Sequence, residues 1–209
     1  PGGGFGQGYG SLPYVGRRSQ YCGPSALPQG ENPVEAFIPV ARIADMLLAP
    51  GQTFDYDGLK LTYPDIKLVY WCGGNPFHHH QDLARLNRAF ARPDTIIVND
   101  PFWTPMARHA DIVLPATLTL ERDDFAASSF DSTVVAMHAV GAPHGEARDD
   151  YDIFAGLARV LGKEARFTEG RTSAEWVRHL YDDWRERRRN ENRPALPPFD
   201  EFWELGILE

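Results

Sequence analysis

The sequence predicts an α/β fold, a Rossmann-like parallel sheet flanked by helices. Three observations carry that expectation. Short apolar runs of strand length recur along the middle of the chain: "IKLVYWC" (66–72), "TIIV" (95–98) and "ADIVLPA" (110–116). A helical pattern separates the first two, so strand, helix and strand fit within about 35 residues, the βαβ spacing that implies parallel pairing. The first two runs end in Gly73-Gly74-Asn75 and Asn99-Asp100, and an open parallel sheet binds ligands beyond the carboxyl ends of its strands.

The elements follow in chain order. Residues 1–32 are rich in Gly, Pro, Ser and Tyr without periodicity and read as loop. "GGGFGQGYG" has the composition to cradle a phosphate, but no strand precedes it, so the glycines alone establish no site. From Ile38 the pattern turns helical, with Pro39 at the first helical position and Ile43, Met46 and Leu47 on one face; "APG" (49–51) stops it. "FDYDGLKLTYPD" reads as a hairpin around Asp57-Gly58. After the first core strand, Asn75 is an N-cap and Pro76 opens a helix running to Phe90, with Leu83, Leu86 and Phe90 on one face. "STVVAMHAV" (132–140) is a further extended run outside the parallel sheet.

A helix starting near Asp150 is expected to bury Ile153, Phe154, Leu157 and Leu161. Another opens with the capping box Thr172-x-x-Glu175 and is expected to bury Trp176, Leu180 and Trp184. Its end, "RERRRNENR", reads as a solvated run of cations favoured by the helix C-terminus. The tail "PALPPFDEFWELGILE" is too apolar to float free and is expected to dock on this chain or on part of a longer parent. Three segments result: a Gly/Pro-rich loop region (1–37), the sheet-bearing segment (38–165), and a helical segment with its docking tail (166–209).

Composition bounds the function classes. The chain has 209 residues, 43% hydrophobic and 12% aromatic, enough for a sizeable core. A net charge of −8 argues against a nucleic-acid binder, whose affinity would rest on a basic face. No run approaches the roughly 18 apolar residues of a membrane span. Cys22 and Cys72 form neither a C-x-x-C motif nor a disulfide framework. The start "PGGGFGQGYG" shows no initiator Met and no signal peptide; it reads as the interior of something longer and leaves export undetermined.

The run His78-His79-His80 invites a metal reading, but consecutive helical residues point about 100° apart and cannot converge on one ion. Zinc sites on helices use i, i+4 spacing, which this run lacks. Two readings stay open: surface imidazoles in a first helical turn, or the mouth of a cofactor pocket. The second has positional support. A helix N-terminus offers N–H groups to phosphate, and Gly73 and Gly74 permit close approach to the backbone. Asn99-Asp100 follows about 25 residues later, and an acidic residue near that place accepts from ribose hydroxyls in dinucleotide folds. The turn is not G-x-G-x-x-G, so an ordinary NAD site fits poorly. These features indicate a nucleotide-like ligand without its identity.

"YWCGGNPFHHHQDLARLNRAF", "ARPDTIIVNDPFWTPMARHADIVLPATLTLERDDF" and "GEARDDYDIFAGLARVLG" resemble the dimethyl sulfoxide reductase family of molybdopterin enzymes. Within it the likeness is to the subgroup reducing dimethyl sulfoxide, trimethylamine N-oxide and biotin sulfoxide, and it runs through nearly the whole chain. Members are several times longer, so the resemblance implies an internal domain of a larger molybdoenzyme. It also implies oxygen-atom transfer from a small S-oxide or N-oxide to molybdenum, with bis(molybdopterin guanine dinucleotide) molybdenum as cofactor. An electron donor of unknown identity and the remaining domains of the parent would be partners. The compartment is not readable, cytoplasm or periplasm, with a lean to the periplasm.

Residue by residue, the resemblance carries over Asn75, His79, Asn99, Asp100, Arg122 and Asp150 as cofactor-binding positions. Asn99 and Asp100 correspond to ribose and guanine contacts, Arg122 to a pyrophosphate partner, and Asp150 to a guanine contact, since a carboxylate can accept from two N–H groups. No residue here corresponds to a catalytic group or to the metal ligand; the family's serine ligand lies N-terminal to everything in this chain. After "GGGFG" the chain continues "QGYGSLPY" where the family usually has a Tyr-His pair, and residues 21–37 are short. Substrate preference is therefore not carried over. Two other readings are a non-catalytic guanine-nucleotide-binding module and a truncated piece that binds nothing.

Overall fold

The computed structural model describes residues 24–34, 37–127 and 133–208. The chain divides into two units, one of Gly30–Thr117 with Gly145–Asp150, the other of Leu118–His144 and Tyr151–Glu209 with the described part of 1–29.

The first unit is built on a parallel sheet. A hairpin comes first, β1 (Thr53–Tyr56) and β2 (Leu59–Thr62), turning through Asp57 and Gly58 at φ 50° and 75°, the paired left-handed geometry of an Asp-Gly turn. Then β3 (Leu68–Cys72), β4 (Thr95–Asp100) and β5 (Ile112–Pro115) lie in the order β3-β4-β5, all parallel. Register sets Leu68 opposite Thr95 and Cys72 opposite Asn99, then Ile97 opposite Ile112 and Asp100 opposite Pro115. Alternation divides each strand between two faces. Val69, Trp71, Ile96, Val98 and Val113 join one core with residues of α1 (Ile43–Leu48), α2 (Pro76–His79), α3 (Leu83–Phe90) and α4 (Pro105–His109). Leu47, Phe77, Leu86, Phe90 and Met106 fill that core.

The α/β class, the three parallel strands and the Asn75-Pro76 helix start match the sequence reading. The crossover does not run as one helix. His80 is extended, and Asp82, left-handed at φ 49°, caps α3 by accepting from Arg85 N at 3.0 Å. An aspartate that can bond its own downstream backbone competes with helix continuation, so the chain breaks and restarts. Leu83 consequently stays 48% exposed, while Ala89 joins Leu86 and Phe90 inside. Pro39 likewise caps a short 3₁₀ turn, Val40–Arg42, rather than opening α1.

The second unit is antiparallel. β6 (Asp124–Ala127), β7 (Val134–Met137) and β8 (Ile207–Leu208) form its sheet, with β7 in the middle. Four helices accompany it: α5 (Asp150–Val160, whose first residue belongs to the other unit), α6 (Glu164–Thr168), α7 (Ser173–Asn190) and α8 (Phe199–Leu205). The tail docks through α8 and β8. Phe199, Phe202 and Leu196 share a core with Val134, Tyr181 and Trp184; Tyr181 stacks on Phe202 with ring centroids 4.7 Å apart.

Three expectations need correction here. Arg188, expected in a solvated run, is 1% exposed and donates from Nε and Nη2 to Pro194 O at 3.0 and 2.8 Å. It follows Trp184 by four residues and Tyr181 by seven, so helical spacing puts it on the buried stripe, and the returning tail supplies the acceptor. On α5, Leu157 stays 42% exposed, and Leu161, one residue past its end, 64%. Of the expected residues Ile153 and Phe154 are half-buried, as are Tyr151 and Ala155, and the small Ala158 is the one fully buried residue of the helix. Leu180 is half-buried while Tyr181 is fully buried.

Candidate functional site

Because the three strands are parallel, Cys72, Asp100 and Pro115 end at one edge of the sheet, and the loops leaving them gather the polar residues singled out by sequence. Past β3, Gly73 and Gly74 both adopt positive φ, 75° and 70°, with open space where a Cβ would stand. That conformation is natural to glycine. The Trp71 indole N–H braces the turn, donating to the carbonyls of Gly73 at 2.9 Å and Gly74 at 3.3 Å.

Asn75 follows. Its Oδ1 accepts from Phe77 N at 3.1 Å, the N-cap bond. Asn75 is 7% exposed, and its Nδ2 is buried with no hydrogen-bond partner among the described residues. The helix it caps is one turn long. His78 N donates to Asn75 O and His80 N to Pro76 O, both at 3.0 Å. The expected row of free N–H groups at a helix start is therefore largely committed within the turn. Of the histidines, His78 and His79 are exposed helical residues and His80 is half-buried beyond the helix; they do not occupy three successive helical positions. None of the three imidazoles makes a hydrogen bond among the described residues.

Asn99 and Asp100 are adjacent at the end of β4, so they point to opposite faces. Asn99 shares a face with Tyr70, since Tyr70 pairs with Ile97 and Asn99 is the diagonal neighbour. The Tyr70 hydroxyl donates to Asn99 Oδ1 at 3.0 Å, and Asn99 Nδ2 donates to Asp150 Oδ1 at 2.8 Å. Asp100 works on the other side. Its Oδ1 accepts from Phe102 N at 3.1 Å and its Oδ2 from the Thr104 hydroxyl at 2.5 Å, while Thr104 Oγ1 accepts from Ala107 N as the cap of α4. Asp100 thus organises the loop into α4.

The segment carrying Asp150 is brought to the edge by backbone pairing. Ala116 bridges Arg148 in parallel; Arg148 N donates to Pro115 O at 3.0 Å and Thr117 N to Arg148 O at 3.1 Å. The Thr117 hydroxyl adds a bond to Asp149 Oδ1 at 2.8 Å. Asp150 itself is exposed, and its Oδ2 has no partner among the described residues. Burial raises the Tyr70 phenol above its ordinary pKa, and the nearby Cys72 and Asp150 add to this against the lowering effect of Asn99. The Cys72 thiol is raised by burial and by the negative charge of Asp150.

The edge therefore brings Asn99 and Asp150 into contact, with Asp100 next to Asn99 at the end of β4 and Asn75 on the neighbouring loop after β3. Arg122 belongs to the second unit, half-buried, with Nε 3.9 Å from Asp124 Oδ2. Tyr70, Thr104, Thr117 and Asp149 were not anticipated. The Gly-rich start falls outside the described residues. Among the described residues no group of three or more His, Cys, Asp or Glu could hold a metal, and no helix is long and apolar enough to cross a membrane.

The model of the molybdopterin oxidoreductase family matches residues 13–160. The chain is 50% identical over 206 residues to the biotin sulfoxide reductase of Cereibacter sphaeroides, covering 99% of this chain and 28% of the relative. It is 50% identical over 174 residues to the dimethyl sulfoxide/trimethylamine N-oxide reductase of the same organism, covering 82% and 21%. With the trimethylamine-N-oxide reductase of Haemophilus influenzae it shares 45% over 217 residues, covering 97% and 26%. The chain thus spans 21–28% of the length of these relatives. Among solved structures, acetylene hydratase from Pelobacter acetylenicus superposes with a TM-score of 0.55 at 20% identity, over 69% of this chain and 18% of that one. That match supports the fold.

Proposed function

The chain belongs to the molybdopterin oxidoreductase family, and from that premise we propose that it holds the guanosine end of one molybdopterin guanine dinucleotide within a longer S-oxide or N-oxide reductase. Residues 38–165 form the cofactor-holding segment in this reading. The observation that carries it is Asn75 Nδ2, a buried amide donor with no partner among the described residues. Such a donor left bare costs about 1–3 kcal/mol, a penalty removed when a bound ligand presents an acceptor. It stands beside two left-handed glycines whose Cβ positions face open space, which suits close approach by a bulky anionic ligand.

Each residue has a role set by its chemistry. Asn75 donates through Nδ2 to a cofactor oxygen or ring nitrogen. His79, exposed at the end of α2, donates to the anionic linker, and Arg122 pairs with pyrophosphate. Asp150 offers its uncommitted oxygen to guanine N–H groups. Asn99 and Asp100 shape the two sides of the ribose and guanine end. When bound, the molybdenum cofactor supplies two-electron oxygen-atom transfer, turning an S-oxide or N-oxide into the sulfide or amine. The residues in this chain bind and orient; none is assigned a proton at the reacting atoms. An electron donor and the other domains of the parent complete the system.

The test is Asn75→Asp in the full-length protein. It keeps an acceptor for the Phe77 N–H and replaces the amide donor with a carboxylate oxygen. Molybdenum and guanine content per polypeptide should fall about tenfold or more at matched folding. Unchanged content overturns the reading.

A further inference from the structure

Asn99 was carried into the site as a cofactor contact, yet both ends of its side-chain amide are engaged within the protein. The Tyr70 hydroxyl donates to Oδ1, which can only accept; Asp150 Oδ1 accepts a hydrogen bond from Nδ2. A flipped amide would set its oxygen against the acceptor-only carboxylate, so Asp150 decides which way the Asn99 amide faces. The phenol's bond holds the other end of that amide in place, and Asn99 so held restrains the Asp150 carboxylate.

We propose that Tyr70 is a positioning residue for base selection, acting through Asn99 to hold the Asp150 carboxylate where it reads guanine. This rests on the reading of Asp150 as the guanine contact. A carboxylate has about four lone-pair sites, and Asn99 occupies one. The remaining sites can take two adjacent donors. Guanine presents two on one edge, N1–H and the exocyclic N2–H. Hypoxanthine keeps N1–H and lacks the amino group. Adenine presents a ring-nitrogen lone pair there, which an acceptor-only carboxylate repels. Discrimination by charge-assisted bonds depends on direction, so a freely rotating carboxylate would bind guanine and distinguish it less.

Two further features fit this role. Asp150 opens α5, so its backbone is fixed by the helix, and the Ala116–Arg148 bridge anchors the approach to it. Tyr70 and Cys72 both keep their protons beyond their ordinary range, chiefly through burial, which preserves the phenol as a donor.

The experiment uses the full-length protein produced without molybdenum cofactor, titrated calorimetrically with GMP and with IMP. The quantity read is the GMP/IMP affinity ratio for the binding step that Asp150→Asn perturbs. The wild type should favour GMP about tenfold or more, and Asp150→Asn should remove most of that preference. Tyr70→Phe and, independently, Asn99→Ala should each reduce the ratio about threefold to tenfold, mainly by weakening GMP, with melting temperatures close to wild type. If Asp150→Asn leaves the ratio unchanged, the assignment of Asp150 to guanine fails. If Asp150→Asn collapses the ratio while Tyr70→Phe and Asn99→Ala preserve it, or weaken GMP and IMP equally, the positioning role fails and the Asp150 contact stands.

Discussion

The two units bury polar groups in opposite ways. In the antiparallel unit Arg188 is nearly inaccessible, but its guanidinium is bonded to Pro194 O and lies 5.8 Å from the Trp184 ring centroid. In the parallel unit Asn75 is also buried and leaves a donor without a partner among the described residues, while the exposed Asp150 has one oxygen without a protein partner there. A buried group with its partners inside the chain serves the fold. One without them leaves a bonding position open to a partner from outside. The aromatic core of the antiparallel unit and the polar edge of the parallel unit should therefore respond differently to mutation.

The largest effect is expected in the aromatic core. Phe202→Ala removes a fully buried ring stacked on Tyr181 and should destabilise by about 3–5 kcal/mol. Thermal unfolding of the full-length protein reads this, and the molecules that remain folded should keep their GMP/IMP ratio. Asp100→Ala comes next. It strips acceptors from the Phe102 N–H and the Thr104 hydroxyl, about 1.5–3 kcal/mol in sum. Melting temperature and guanine content should fall together, because the loop into α4 loosens. Guanine content lost at an unchanged melting temperature would make Asp100 a pure ligand contact and erase its scaffold role.

A smaller effect is expected from the histidines. His79→Ala should lower cofactor content severalfold, on the order of one hydrogen bond, with His78→Ala and His80→Ala nearly silent. Equal losses in all three would refute the choice of the middle imidazole. The smallest effect lies at the α7 capping box and concerns pH alone. The backbone N–H and then the hydroxyl of Thr172 hold the Glu175 carboxyl below its ordinary pKa. A depressed folded-state value stabilises fully above the ordinary glutamate pKa and is lost as pH falls through the lower folded value. Glu175→Gln should flatten that part of the acid limb in the stability–pH profile by lowering the neutral plateau slightly while leaving the stability at the acid end little changed.

The strands of the parallel sheet were legible because β3, β4 and β5 combine apolar runs with polar ends, a pattern that survives without knowledge of the rest of the chain. Asn75 was legible as a helix cap, which has a residue signature, whereas Asp150 was singled out only by the family resemblance. The break at His80 was not, since it depends on Asp82 taking a left-handed conformation that its identity permits without requiring. Tyr70 was hidden by register. Its meaning comes from being diagonal to Asn99, and from a backbone bridge that returns residues 145–150 to the strand ends after a long excursion through the other unit. Arg188 was misread because composition marks a cationic run as solvated, while the position of its acceptor, Pro194 O, is set by how the tail turns back.

The opposed directions of Asn99 and Asp100 make β4 a two-channel connector. One residue faces the Tyr70–Asp150 hydrogen-bonded chain and the next faces the loop scaffold, and only the parity of the strand tells them apart. A single-residue insertion or deletion within β4 upstream of this pair, with the pairing of its first residues kept, would interchange the channels. The amide would then meet Phe102 and Thr104, and the carboxylate would meet Tyr70 and the carboxylate of Asp150. Two like charges in contact are a far harsher outcome than a lost bond. Length variation in this protein is thus expected to be tolerated in the loops on either side of the sheet and excluded from the six residues of β4.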